Sequence, residues 1–111
     1  MVVDQIDITD FQRLDLRVGT VKEVERVPNT KKLYRIKVDL GELGVKQTVA
    51  GLVEYYQPDE LLGKKIVFLS NLKPIKLAGE TSEGMLLASE RNGKVALLTV
   101  DRDVPDGSKI R

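Results

Sequence analysis

The apolar pattern along most of this chain predicts strands, and it alternates with period two most clearly over residues 33–40. Over residues 33–40 the even positions Tyr34, Ile36, Val38 and Leu40 are apolar. The odd positions Arg35, Lys37 and Asp39 are charged, so one face meets a core and the other meets solvent. Residues 16–27 read as a preceding strand, a Gly-bounded turn at 41–44 leads into strand 45–52, and 66–72 is a nearly continuous apolar run suited to a buried strand. Segments 85–89 and 94–100 flank Arg91-Asn92-Gly93, and Asn-Gly marks a tight hairpin. Val104-Pro105-Asp106-Gly107 predicts one more turn.

Helix signals are few. Thr9-Asp10-Phe11-Gln12 fits a capping box and predicts a turn ending near Leu14. Pro58-Asp59-Glu60-Leu61-Leu62, with Pro at the first position, acids in the first turn and Gly63 beyond, predicts a second short helix. The pattern fits a small all-β barrel or sandwich, and strand spacing alone does not choose between them.

Composition narrows the function. The 111 residues predict a single domain over 1–111, able to bury roughly two thirds of the surface its unfolded chain exposes. The sequence has no cysteine and no histidine, which removes disulfides, thiolate metal sites, cysteine nucleophiles and the commonest general base. We expect no metal, no cofactor and no catalytic residue. The acidic start, Met1-Val2-Val3-Asp4-Gln5-Ile6-Asp7, lacks a signal-peptide pattern, and no 18-residue apolar run suggests a membrane span. A cytoplasmic protein with no membrane partner is the expectation.

The net charge of +1 conceals an uneven distribution. Residues 26–37 hold Arg26, Lys31, Lys32, Arg35 and Lys37 without an acid, and residues 61–79 hold Lys64, Lys65, Lys73 and Lys76 without one. Brought together, they would give a nearly neutral protein one positive face.

Three segments carry a resemblance. Residues 71–88, Asp15-Leu16-Arg17-Val18-Gly19 and Lys46-Gln47-Thr48-Val49-Ala50-Gly51 together resemble the tRNA-binding domain family, with likeness from about Thr9 to the C-terminus. That family includes the domain appended to methionyl-tRNA synthetases and stand-alone dimeric tRNA-binding proteins. The resemblance implies an all-β fold: a five-stranded OB-fold barrel with short helices and a C-terminal β extension. It also implies a non-catalytic, structure-specific tRNA-binding role, as a homodimer or as the detached β subunit beside a methionyl-tRNA synthetase catalytic chain. Residues 44–48 resemble the secretion-chaperone branch of the same fold, so a peptide-binding dimer is the alternative. A general single-strand OB binder is the third reading.

In an OB-fold, ligands cross strands 2–3 between the loop joining strands 1 and 2 and the loop joining strands 4 and 5. On that frame Lys31 and Lys32 occupy the first loop, Arg35 and Lys37 the polar side of strand 2, and Lys73 and Lys76 the second loop. Converging cations suit a phosphate backbone. Within 73–84, Gly79 and Gly84 permit unusual backbone or close approach. Ser82 can donate to a phosphate or ribose oxygen, Met85 offers apolar surface, Glu83 orders the loop, and Asn71 ties its base. Ile75 stands where many relatives carry Arg, which removes one expected phosphate contact, and Lys31 replaces a common Asp.

Five aromatics and no Trp give little for base stacking. Tyr34 and Phe68 sit at core-like positions and Phe11 anchors the first helix, while Tyr55 and Tyr56 adjoin the second. Recognition of a structured RNA by shape and phosphates follows better. Asp15 and Arg17 stand two apart, but without His, Cys or a phosphate loop they predict a strand-edge pair with Gly19 at a bulge. Ile6, Ile8, Phe11 and Leu14, with Val95, Leu97, Leu98 and Val100, predict two apolar patches for a homodimer.

Overall fold

A long first strand, shared between two neighbours, organises the structure. The computed structural model describes residues 3–111. Met1 and Val2, part of the start read above as lacking a signal pattern, lie outside the described residues. Strand β1 (Leu16–Arg26) pairs antiparallel with β4 (Lys65–Leu69) through its first half and with β2 (Tyr34–Asp39) through its second. Strand β3 (Val45–Ala50) follows β2 after a 3-10 turn at Gly41–Leu43, and β7 (Met85–Leu86) pairs with β4. The sheet order β3-β2-β1-β4-β7 is an OB-like, nearly closed antiparallel barrel.

The bend that curls this sheet lies at Lys22. The register jumps from Val21 opposite Val38 to Glu23 opposite Lys37, leaving Lys22 as the extra residue of a bulge. Gly19, expected at the bulge, instead pairs regularly with Ile66. Its reason is proximity: a Cβ there would stand 2.5 Å from Val38 Cγ1 and 2.7 Å from Leu40 Cδ2.

Alternation delivers the core. Tyr34, Ile36 and Val38 of β2 point inward with Val21, Ile66, Phe68 and Leu86. Helix α2 (Pro58–Leu61) covers one end of the barrel with fully buried Leu61. Pro58 opens it and Gly63, at φ 84°, follows it, as the sequence predicts. Helix α1 (Ile8–Gln12) begins earlier than expected: Asp7 is the N-cap, without a side-chain cap, and Thr9 lies inside the helix. The Thr9–Gln12 box therefore does not form. Phe11, packing with Leu16, Val67 and Leu69, holds this short helix.

The remaining strands are short. β5 (Ile75–Leu77) pairs with β6 (Glu80–Ser82), and β8 (Ala88–Arg91) pairs with β9 (Lys94–Leu97). Asn92 and Gly93, at φ 53° and 76°, form the tight turn that Asn-Gly predicts. The strand expected over 85–89 breaks at Leu87, whose N–H donates to Val67 O while its carbonyl accepts Leu98 N–H. Val95 and Leu97 pack on the barrel core, so the second expected apolar patch is largely used within the chain.

The C-terminal residues complete the free edge of β1. Gly107 N–H donates to Val18 O, Val18 N–H to Ser108 O and Ile110 N–H to Leu16 O, beyond the end of β2. Thr20 Oγ1 donates to Asp106 Oδ1 at 2.6 Å, and Arg17 reaches Gly107 O at 3.0 Å. Asp15 sits beneath this strap. Ser70 Oγ donates to its Oδ2 at 2.6 Å, Arg17 Nε lies 2.8 Å from Oδ1, and Lys109 Nζ lies 3.8 Å away. The Ser70 hydrogen bond, aided by Arg17 and opposed by burial, holds the Asp15 carboxyl below its ordinary value. Asp15-Leu16-Arg17 is thus a structural clamp.

Two outcomes test this architecture. Gly93→Ala, at positive φ in open space, should cost about 1–2 kcal/mol. Gly107→Ala has positive φ and a Cβ 2.6 Å from Leu40 O, so urea denaturation should show it losing more than Gly93→Ala. The depressed Asp15 pKa contributes stability above the unfolded value of about 3.9, lost as pH falls through the lower folded value. Asp15→Asn should therefore cost roughly 1–3 kcal/mol at pH 7, with the gap to wild type shrinking as the pH falls below about 4.

Candidate nucleic-acid interface

Two basic segments flank the β2–β3 face, but their charges are not equally free. The β1–β2 connection is ordered by its backbone: Val27 N–H donates to Leu33 O, Thr30 Oγ1 to Val27 O, and Arg26 to Lys31 O. This fixes exposed Lys31 and Lys32 beside the barrel. Lys32 Nζ lies 3.7 Å from Glu54 in an exposed pair, which is weak. Lys31 has no ion-pair partner among the described residues.

Arg35 and Lys37 are different. The β1–β2 register sets Glu25 opposite Arg35 and Glu23 opposite Lys37. Lys37 Nζ lies 3.3 Å from Glu23, while Arg35 grips Glu25 with one nitrogen and Glu80 at 3.2 Å with another. The basic stretch contains no acid in sequence, yet its strand residues are neutralised across the ladder. The alternating Glu23 and Glu25 were the available signal for this.

The segment expected as a long second loop folds as the β5–β6 hairpin. Ala78 and Gly79, at φ 51° and 82°, make its turn. The hairpin lies along β3: Gln47 Nε2 donates to Thr81 O at 2.9 Å, Glu83 N–H to Gln47 O at 2.8 Å, and Gln47 N–H to Glu83 Oε1 at 3.0 Å. Glu83 thus orders the segment. Lys73 and Lys76 are exposed and have no ion pair among the described residues.

Ser82 lies elsewhere than a phosphate donor should. It is buried, its Oγ accepting Val49 N–H at 3.2 Å and standing 3.2 Å from Thr48 Oγ1, which donates to Gly84 O at 2.8 Å. These bonds join β3 to the approach of β7. Asn71 bridges helix α1 to the end of β4, accepting Asp15 N–H and donating to Arg13 O. Met85, by contrast, is half exposed at the mouth of an apolar cleft beside the β5–β6 hairpin.

Lys46 escaped the sequence reading. Its Nζ donates to Ser70 O at 2.8 Å, has no carboxylate partner among the described residues, and shares a cleft with Asn71, Lys73 and Pro74. Its place on the polar side of β3, within the Lys46–Gly51 motif, was the signal. Exposed Lys31, Lys32, Lys73 and Lys76 and half-buried Lys46 are the candidate cations of the site.

The chain resembles known proteins over nearly its whole length. A family model described as a putative tRNA binding domain matches residues 16–109, and the chain belongs to that family. A methionine–tRNA ligase from Methanocaldococcus jannaschii is 51% identical over 110 residues, covering 98% of this chain and 17% of the ligase. The chain spans about a sixth of the length of the curated relatives it matches. A MetRS-related protein from Pyrococcus horikoshii superposes with a TM-score of 0.91 at 38% identity, covering 98% of this chain and all of that one. A chaperone CsaA from Bacillus anthracis gives a TM-score of 0.87 at 38% identity, covering 97% and 100%.

The Arg35 bridge generates a prediction. Glu80→Gln should release the hairpin from β2 while changing global stability by less than about 1 kcal/mol, since the pair is partly exposed. Hydrogen–deuterium exchange should accelerate over residues 75–82 and stay unchanged in β2.

Proposed function

We propose that this chain is a non-catalytic tRNA-binding module of the cytoplasm, working as a homodimer or as the detached tRNA-binding β subunit of a methionyl-tRNA synthetase. The observation that supports the proposal is the pair of exposed lysine clusters, Lys31 and Lys32 in the β1–β2 connection and Lys73 and Lys76 at the β5–β6 hairpin, in a chain of the putative tRNA binding domain family. Lys31, Lys32, Lys73 and Lys76 contact phosphates, joined by Lys46. Arg35 and Lys37 contribute by exchanging carboxylate partners for phosphate. Ser82 and Asn71 hold the surface in shape, and Met85 meets the RNA at the cleft mouth. Binding raises the local tRNA concentration at a catalytic partner without entering the chemistry. Exposed Ile6, Ile8 and Leu14 on the N-terminal segment supply the dimer contact. A monomeric mass by light scattering at micromolar concentration would remove the homodimer.

A peptide-binding, chaperone-like dimer is the second reading, favoured by the likeness to the Bacillus anthracis chaperone CsaA. Competition among folded tRNA, an equal mass of single-stranded oligonucleotide and an unfolded polypeptide separates these readings. Folded tRNA should win.

Phosphate contacts also predict a salt response. Log affinity should fall with log salt by about 0.7–0.9 per phosphate engaged. Lys32→Ala or Lys73→Ala should weaken different tRNAs alike and make that slope shallower by roughly one unit. Lys94→Ala and Arg102→Ala, outside the face, should change little. Equal losses from all four would mean that net charge alone drives binding.

A further inference from the structure

An apolar cleft of about 370 Å³ opens between the β5–β6 hairpin and the end of β3. Leu52 and Leu86 form its inner wall, and Leu72, Ile75, Leu77 and Met85 ring its mouth. These four mouth residues are exposed by 38–55%, so the chain leaves a contiguous apolar surface open at one place on its binding face. The only charged residue in its lining is Lys73. We propose that this cleft takes one unstacked nucleobase of the bound RNA, a site that rests on the RNA-binding reading above and deepens it.

Charge and shape identify the occupant. Such a volume lies within the range of small-ligand pockets. A cation on the rim of an otherwise apolar cleft complements a flat, weakly polar body joined to an anion. A nucleotide has that form, its base entering the cleft and its phosphate meeting Lys73. Bases splayed from single-stranded loops are the usual targets of RNA recognition, and apolar side chains can sandwich a base in place of aromatic ones. A neutral apolar side chain of a peptide would gain nothing from Lys73.

The walls also dictate what is read. The two side-chain hydroxyls at the base of the cleft, on Thr48 and Ser82, are engaged in the β3–β7 junction through Gly84 O and Val49 N–H. No side chain in the lining is left to match the edge of a base. The cleft therefore senses that an unpaired base is present, not which base it is. Phosphate contacts position the RNA, and the cleft selects a fold that offers an extruded base at the right distance from its backbone.

The test uses the full chain and a folded tRNA carrying an abasic site at each unpaired position outside the anticodon in turn. One position should cost about tenfold in affinity, the low end for a stacked base. Exchanging that base for any other should cost less than roughly threefold, since no lining side chain reads its edge. Leu77→Glu and Met85→Glu alter exposed side chains, and thermal melting checks that each remains folded. Either should weaken unmodified tRNA by about tenfold and cancel the extra cost of the abasic site. If no abasic site costs more than about twofold while Lys73→Ala still weakens binding, the cleft proposal falls and the RNA reading stands. Strong base preference at the sensitive position also overturns it. If tRNA does not bind, both fail. A Leu77→Glu-sensitive apolar peptide that leaves tRNA in place would assign the cleft to a protein partner instead.

Discussion

Closure of the barrel at Thr48, Ser82 and Gly84 is the constraint on which the rest depends. Strands β3 and β7 meet there without a regular ladder, so side-chain hydroxyls take the place of interstrand hydrogen bonds. Gly84 makes this possible, since a Cβ would stand 2.5 Å from Leu69 O and from the Phe68 ring. Chain passing through so tight a point fixes where the β5–β6 hairpin leaves and returns. The hairpin then roofs one side of the cleft and lies along β3. A buried serine thereby shapes the surface around it.

The cations divide into two groups with different physics. Arg35, Lys37 and Lys65 face carboxylates across strands or from the C-terminal segment and hold elements together. Lys31, Lys46, Lys73 and Lys76 have no such partner among the described residues, and their fields reach outward. Net charge near zero is therefore compatible with a locally positive surface, because several acids are engaged in pairs within the fold. Arg35 spans two elements: its bridge from Glu25 to Glu80 couples the hairpin to the strand beneath it.

Much of the fold was legible because each signal was local. Alternation in β2 predicts its inward face, Asn92-Gly93 predicts its hairpin, and Pro58 with Gly63 brackets α2. What escaped depended on contacts distant in sequence. Residues 75–82 read as a loop because Ala78-Gly79 is a poor turn signal, and Ala78 reaches φ 51° only within the hairpin. Ser82 reads as an available donor until the fold brings Thr48 and Val49 to it. The charge balance of Arg35 needs the β1–β2 register, and the role of Gly19 needs Val38 and Leu40 overhead. The lysines of the site were visible individually, whereas their freedom was a property of the folded charge pattern.

The proposed site combines two separable components, lysines and an apolar cleft. Accessible lysines respond to any polyanion, and the cleft responds to any small apolar group. Neither component alone discriminates well, since phosphate contacts carry no sequence information and an apolar wall has no hydrogen-bond code. On the proposed reading, selectivity arises from their fixed separation, which demands an anion and an apolar body in one rigid arrangement. A folded RNA with an extruded base presents both at a set distance. An extended peptide pairs them only when an acidic and an apolar residue adjoin. On the proposed reading, rigidity of the hairpin, held by Gln47 and Ser82, converts a basic surface into one that recognises shape.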